Sequence, residues 1–231
     1  MSLEHVTHEY TGDRRLISLV TLIVANILPL IGVLFYDWDV AALVVLYWSE
    51  NLVLGFYTLA KMLVTSPVGG VFSGLFFLIH YGGFCAVHGL FIVTLLVDPE
   101  ADVLAGGQTW PFFFVFVELL VDVVSFVLAQ APTQWLWAFA ALFISHGVSF
   151  VLNFLQARER EKTALNALMT APYGRIIVMH IAVILGAMAI TALGQPLFML
   201  LILVVLKTAV DIALHLREHQ RLAAGGNTAS T

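Results

Sequence analysis

Seven stretches of this chain stay apolar for about twenty residues or more, and that constrains its fold more than any other feature. About 20 apolar residues in a helix cross the hydrocarbon core of a bilayer. Backbone groups in that core have no water to bond, so single-chain spans of this kind are helical. The chain is 61% hydrophobic and 11% charged, against about 25% charged in soluble domains. The expectation is an all-α integral membrane protein.

The stretches run Leu16–Tyr36, Val40–Val64, Val71–Val97, Trp110–Gln130, Trp135–Gln156, Arg175–Gly194 and Pro196–Arg217. They divide the chain into a cytoplasmic arm (1–15), a transmembrane helical domain (16–217) and a flexible cytoplasmic tail (218–231). The first stretch is too long for a signal-peptide core and lacks a cleavage site, so it reads as a retained span. Thr65 to Gly70 reads as a loop, as does Asp98 to Thr109. Arg158, Arg160 and Lys162 fall in a polar linker that runs to Pro172.

Cytoplasmic loops carry an excess of Lys and Arg. With the N-terminus in the cytoplasm, Arg14, Arg15, Lys61, Arg158, Arg160, Lys162, Arg175, Arg217 and Arg221 share that side only if Trp110–Gln130 does not cross. Trp38, Trp110, Trp135 and Trp137 then sit at the outer ends, as an aromatic belt does. The expected architecture is a six-span helical bundle plus one re-entrant or interfacial helix on the outer side, with N and C termini cytoplasmic. Glu118, Asp122, Ser125 and Gln130 give that helix a polar stripe, placed to cap the bundle or to meet His88. Localisation in the cell inner (plasma) membrane follows, with lipids as partners and a homodimer through the outer helix as a possibility. The net charge of −5 and the absence of a basic patch exclude nucleic acid as an expected partner. The single cysteine, Cys85, has no internal disulfide partner and reads as a small buried hydrophobe.

Ionisable groups inside spans are costly and face the bundle interior or one another. Lys207, Asp211 and His215 are spaced i, i+4, i+8 and share one helical face. Glu50, His80, His146 and His180 lie in other spans. Neutral imidazole and carboxylate are ligands for a divalent transition metal, zinc foremost, so His80, His146, His180, Asp211 and His215 form a candidate metal set. Glu50 is then the candidate general acid or base for metal-bound water, and Lys207 the stabiliser of developing negative charge. That assignment implies an intramembrane hydrolase of a lipid or other apolar substrate. The alternative is a small proton-coupled transporter or channel with the same residues as a relay and Glu50 near Lys207 as a breakable ion pair. A haem held by His80 and His180 fits less well, because the two lie at different depths by helical rise.

The helix-borne Asp211-x-x-x-His215 and the Ser145-His146 pair resemble, in their logic, the intramembrane hydrolases of the alkaline ceramidase and progestin-adiponectin receptor superfamily. Those combine Ser-x-x-x-His, an Asp and a terminal His-x-x-x-His; here Asp211 replaces the first histidine and Ser145 adjoins His146 directly. A closer resemblance rests on Tyr47-Trp48-Ser49-Glu50-Asn51 with Lys61, on His80-Tyr81 with His88, on Pro172-Tyr173-Gly174-Arg175 with His180, and on Lys207-Thr208 with Asp211 and His215. These resemble a family of prokaryotic multi-pass membrane proteins of unknown function, over about Val40 to His219. The resemblance implies that these polar positions form one set and implies no activity.

Overall fold

The computed structural model describes Ile23, residues 26–104, Gly107, 109–156 and 164–227. Among these residues all regular structure is helical. Expectations resting on residues 1–15, Arg158, Arg160 and Lys162 lie outside the described residues, as does the side chain of His215. In chain order the helices are α1 (Asn26–Tyr36), α2 (Val40–Thr65), α3 (Pro67–Ile92, continued by a π turn at Val93–Val97), α4 (Val115–Gln130, after a 3-10 turn at Phe112–Phe114), α5 (Thr133–Ser149, continued by a π turn at Phe150–Gln156), α6 (Leu165–Thr170), α7 (Tyr173–Leu193) and α8 (Leu197–Asn227). Five helical segments are long and apolar enough to cross a membrane: Val40–Thr65, Pro67–Val97, Phe112–Gln130, Trp135–Gln156 and Leu165–Leu193. Large apolar side chains such as Phe35, Phe72, Phe112 and Trp137 point outward, as they do on a surface whose solvent is lipid.

Local chemistry sets the turns. Asp39 caps α2 by accepting from the Ala41 amide at 2.9 Å, a common way to satisfy a helix's free N–H groups. Pro67 opens α3, where its missing N–H costs nothing. Gly194 closes α7 with φ of 67°, in the left-handed region that glycine tolerates best.

α2 and α3 form a central antiparallel hairpin, and glycines set their close approach. A Cβ on Gly55 would lie 2.8 Å from the Tyr81 ring, and one on Gly89 would lie 2.5 Å from Trp48. Between membrane helices, small residues let backbones and large partners pack where lipid supplies no hydrophobic drive. On the far side of α3, Gly83 faces Phe116 and Gly89 faces Val123. Residue numbers rise together along this contact, so α4 runs in the same direction as α3. The 98–111 connection therefore returns along α3 before α4 begins, and Val127 and Ala131 finish beside Val97 and Asp39. Phe112, at that reversal, takes φ of 52°, a conformation uncommon for a bulky side chain.

Glu118 explains how the reversal is held. Its carboxylate accepts from the Thr109 and Trp110 amides at 2.9–3.0 Å and from the Thr109 hydroxyl at 2.7 Å. It satisfies amides ahead of its own helix, and does not meet His88 as expected. Glu118→Ala is therefore expected to speed hydrogen exchange at Thr109 and Trp110 by at least about tenfold, because these amides lose their acceptors. Amides of α2 should exchange as before.

One boundary departs from expectation. The linker before Arg175 holds α6, which packs against α2 and α3. Leu165 lies against Gly69, and Leu168 is buried with Met62, Phe77, Phe154 and Ile176. α6 and α7 together make an apolar helical segment from Leu165 to Leu193, turned at Ala171-Pro172. Tyr173 thus meets His80, 13 residues into α3. α7 lies against α3, and α8 returns antiparallel to α7, with Gly186 against Met199.

Candidate functional site

The polar centre forms where α2, α7 and α8 meet. Tyr47, Glu50 and Asn51 share one face of α2, as three- and four-residue spacing requires. The Arg175 guanidinium donates from Nη1 to Glu50 Oε1 at 2.5 Å. The Lys207 ammonium donates to Glu50 Oε2 at 3.0 Å and lies 4.5 Å from the centre of the Tyr47 ring, a cation–π distance. One carboxylate thus bridges two cations, each on a different oxygen. Its side chain is 19% exposed, against 25% for Lys207 and 47% for Arg175. A cleft of about 40 Å³ opens beside it, lined by Tyr47, Glu50, Asn51, Arg175, Lys207 and Asp211 among others. Asp211 accepts from the Asn26 amide at 3.2 Å, which brings α1 to the same place. The buried Asn51 amide oxygen has no hydrogen-bond partner among the described residues.

The histidines fall into separate contacts. His88, 2% exposed, shares a 2.8 Å hydrogen bond with His180 across α3 and α7. His80 bonds the Tyr173 hydroxyl at 2.8 Å and stacks on Phe76. His146 bonds its own helix at the Leu142 carbonyl, 3.0 Å away. Of the expected metal set, the described members His80, His146, His180 and Asp211 are therefore not gathered. Among the described residues no group of three His, Cys, Asp or Glu could hold a metal ion. The reason is local: His80, His146 and Asp211 are each engaged by a residue outside the set. His80 and His180, the pair considered for haem, also bond different partners.

The His88–His180 bond requires one ring to donate and the other to accept, so both rings cannot be cationic while it lasts. His180→Phe, which removes the partner and retains an aromatic ring, is expected to leave His88 Nε2 unmet beside an Nδ1 that has no partner among the described residues. A loss of about 1–2 kcal/mol follows in thermal unfolding of the purified protein. His146→Phe should cost less, since His146 bonds only its own helix.

Over residues 11–227 the sequence matches the profile of a family described as a family of unknown function, DUF6498. The chain belongs to DUF6498. No curated protein and no solved structure matches it. The DUF6498 match carries the resemblance to an uncharacterised membrane family, and nothing among these comparisons supports the likeness to ceramidase-type hydrolases.

Glu50 and Lys207 meet as an ion pair in this DUF6498 chain, as the sequence allows. Arg175 joins the site although charge and hydropathy mark it as a cytoplasmic end, where the apolar run begins; only the family resemblance sets it with Glu50 and Lys207. The missed signal is apolar content before the proline: Leu165 and Leu168 already belong to the buried bundle. Tyr47 and Asn51 are likewise named only through that resemblance, although Tyr47 is about one helical turn and Asn51 one residue from Glu50.

Proposed function

We propose that this protein is a small proton-coupled membrane transporter in which Glu50 carries the coupling proton. The observation that carries the reading is the Glu50 carboxylate held between Arg175 and Lys207, from three helices, beside a cleft that all three line. Buried ion pairs give little net stability, because desolvation offsets the attraction. Their frequent use within membranes is as switchable charge. A proton reaching Glu50 neutralises it, weakens both ion pairs and frees α7 and α8 to rearrange against α2.

The same proposal includes six spans in the plasma membrane, with both termini cytoplasmic. α1, α2, α3, α5, the α6–α7 segment and α8 cross; residues 98–130 enter and leave on the outer side. The shared direction of α3 and α4 supports that path, since both finish beside the start of α2. Charge distribution supports the orientation: Asp37, Asp39, Asp98, Glu100 and Asp102 flank the α2 start and α3 end, while Lys61 lies at the other end of α2. Membrane lipids are the partners, and a second copy could dock on the exposed Phe112 and Phe113 at the start of α4. A metal-dependent hydrolase draws less support, because its candidate ligands occupy separate contacts.

The test is proton flux in liposomes holding the full chain. An imposed pH gradient is expected to drive flux through the native protein, and Glu50→Gln is expected to abolish it. Glutamine keeps the size and one acceptor oxygen of Glu50, so folding should survive. Persistent gradient-driven flux in a folded Glu50→Gln protein would refute the proposal.

A further inference from the structure

We infer that Arg175 and Lys207 form an oxyanion-binding site that ionised Glu50 fills, so that an anionic group binds together with a proton. The inference rests on the proton-coupled reading of Glu50 and names the substrate class of that site.

Donor counting comes first. Arg175 carries five N–H donors and its hydrogen bond to Glu50 uses one nitrogen, Nη1. Lys207 carries three N–H donors, of which one goes to Glu50 while the ammonium rests against the Tyr47 ring. The fixed fork of Arg and the point charge of Lys are the usual pair for carboxylate, phosphate or sulfate oxygens. Glu50 already supplies one such oxygen to each cation, so it marks the position an oxyanion would take. Asn51 also lines the cleft, with its amide oxygen buried and unpartnered among the described residues. The cleft, about 40 Å³, has room for a few water-sized groups, the scale of one oxyanion's oxygens.

Charge balance supplies the coupling. Among the described residues the formal charges lining the cleft are Glu50 and Asp211, negative, and Arg175 and Lys207, positive. They sum to zero. The remaining titratable group facing Glu50 is the neutral Tyr47, and Asp211 is engaged by Asn26. A monoanion entering alone would leave one uncompensated negative charge in a low-dielectric place. A monoanion arriving with one proton keeps the sum at zero. Glu50 is the seat for that proton, because it holds the cations the anion must take. Its carboxylate accepts the proton, both ion pairs break, and the two cations rebind to two oxygens of the anion. No covalent bond changes except the O–H bond formed at Glu50.

The oxyanion could be a free solute or a lipid headgroup, and two probes separate them. Methanesulfonate, a monoanion, stands for the free solute, and dioctanoyl phosphatidylglycerol, also a monoanion, for the headgroup; neither titrates at about pH 6 to 8. Each is titrated into the full chain in nonionic detergent by calorimetry, in buffers of different ionisation enthalpy, which counts protons taken up. At least one probe is expected to bind with about one proton absorbed and to weaken about tenfold per pH unit as pH rises. Binding by methanesulfonate assigns the site to a solute, and binding by the lipid alone assigns it to a headgroup. Glu50→Gln is expected to bind the same probe more tightly with no pH dependence, and Arg175→Gln to lose at least about tenfold in affinity. The native protein's proton count stands by itself if either variant fails to fold. Failure of both probes to bind, or binding without proton uptake, would overturn the inference. Glu50-dependent flux without probe binding would leave the transporter reading intact, whereas proton-linked binding without that flux would retain the site and remove the transporter.

Discussion

Glu50→Ala is expected to lower thermal stability more than either Arg175→Ala or Lys207→Ala, although it removes the smallest of the three side chains. With Glu50 present, two cations share one carboxylate. Removing it leaves both cations close together with no bridging anion. Breaking a fully buried ion pair from one side costs about 3–5 kcal/mol. Arg175 is nearly half exposed, and solvent screening lowers the effect there. The expected loss is therefore roughly 3 kcal/mol, near the lower limit of that range. Lys207→Ala leaves Glu50 paired with Arg175 and should cost roughly 1 kcal/mol, the scale of one partly exposed charged contact. Removing Glu50 and Lys207 together should cost less than the sum of the two single changes, because the double variant has no repelling cation pair. Cys85 provides the measurement: it is the chain's single cysteine and is 1% exposed, so a thiol-reactive dye responds to opening of the α2–α3 core. Equal losses for Glu50→Ala and Lys207→Ala would mean that the bridging geometry has no energetic weight.

The helices were legible because hydropathy acts over about twenty residues and tolerates single exceptions. For the 98–130 segment hydropathy and charge placement point different ways: Phe112–Gln130 is long and apolar enough to cross, whereas the distribution of Lys and Arg favours a segment that does not. The pairing of polar groups was far less legible. Depth along each span was counted from its apparent end, on the assumption that all spans start at one plane. That failed at α7, which begins beside His80 because α6 occupies the level beneath it. Counting depth from Arg175 hides that His180 comes level with His88, because α6 lies below the start of α7. Glu50 and Lys207 escaped the error because both were counted from well-defined spans. Spacing alone could not reveal that Glu118 turns back to the Thr109 and Trp110 amides, since only a chain reversal brings those amides within reach.

Around Trp48 the expected effect is of similar size but different origin. The ring is 2% exposed, and its Nε1–H donates to the Cys85 carbonyl at 2.8 Å. It lies against Gly89, where Val123 of α4 also arrives. Trp→Ala in a soluble core costs about 3–5 kcal/mol. In a bilayer the alternative solvent is as apolar as the ring, so the transfer part of that cost shrinks and lost packing dominates. Trp48→Ala should therefore fall near 3 kcal/mol, with the cavity adjoining three helices. Trp48→Phe keeps most of the packing and loses the hydrogen bond, so about 1 kcal/mol is expected. Gly89→Val attacks the same contact from α3. Its Cβ would stand 2.5 Å from Trp48 Cζ2 and 2.7 Å from Val123, distances that neither neighbour can accept without moving. A loss of about 3 kcal/mol or more is expected, as for severe overpacking. Combining Gly89→Val with Trp48→Ala should recover part of it, because the added methyls enter the space the indole vacates. Fully additive losses in the double variant, read by the same Cys85 reaction, would show that Gly89 and Trp48 do not press on one another and that the α2–α3 approach is set elsewhere.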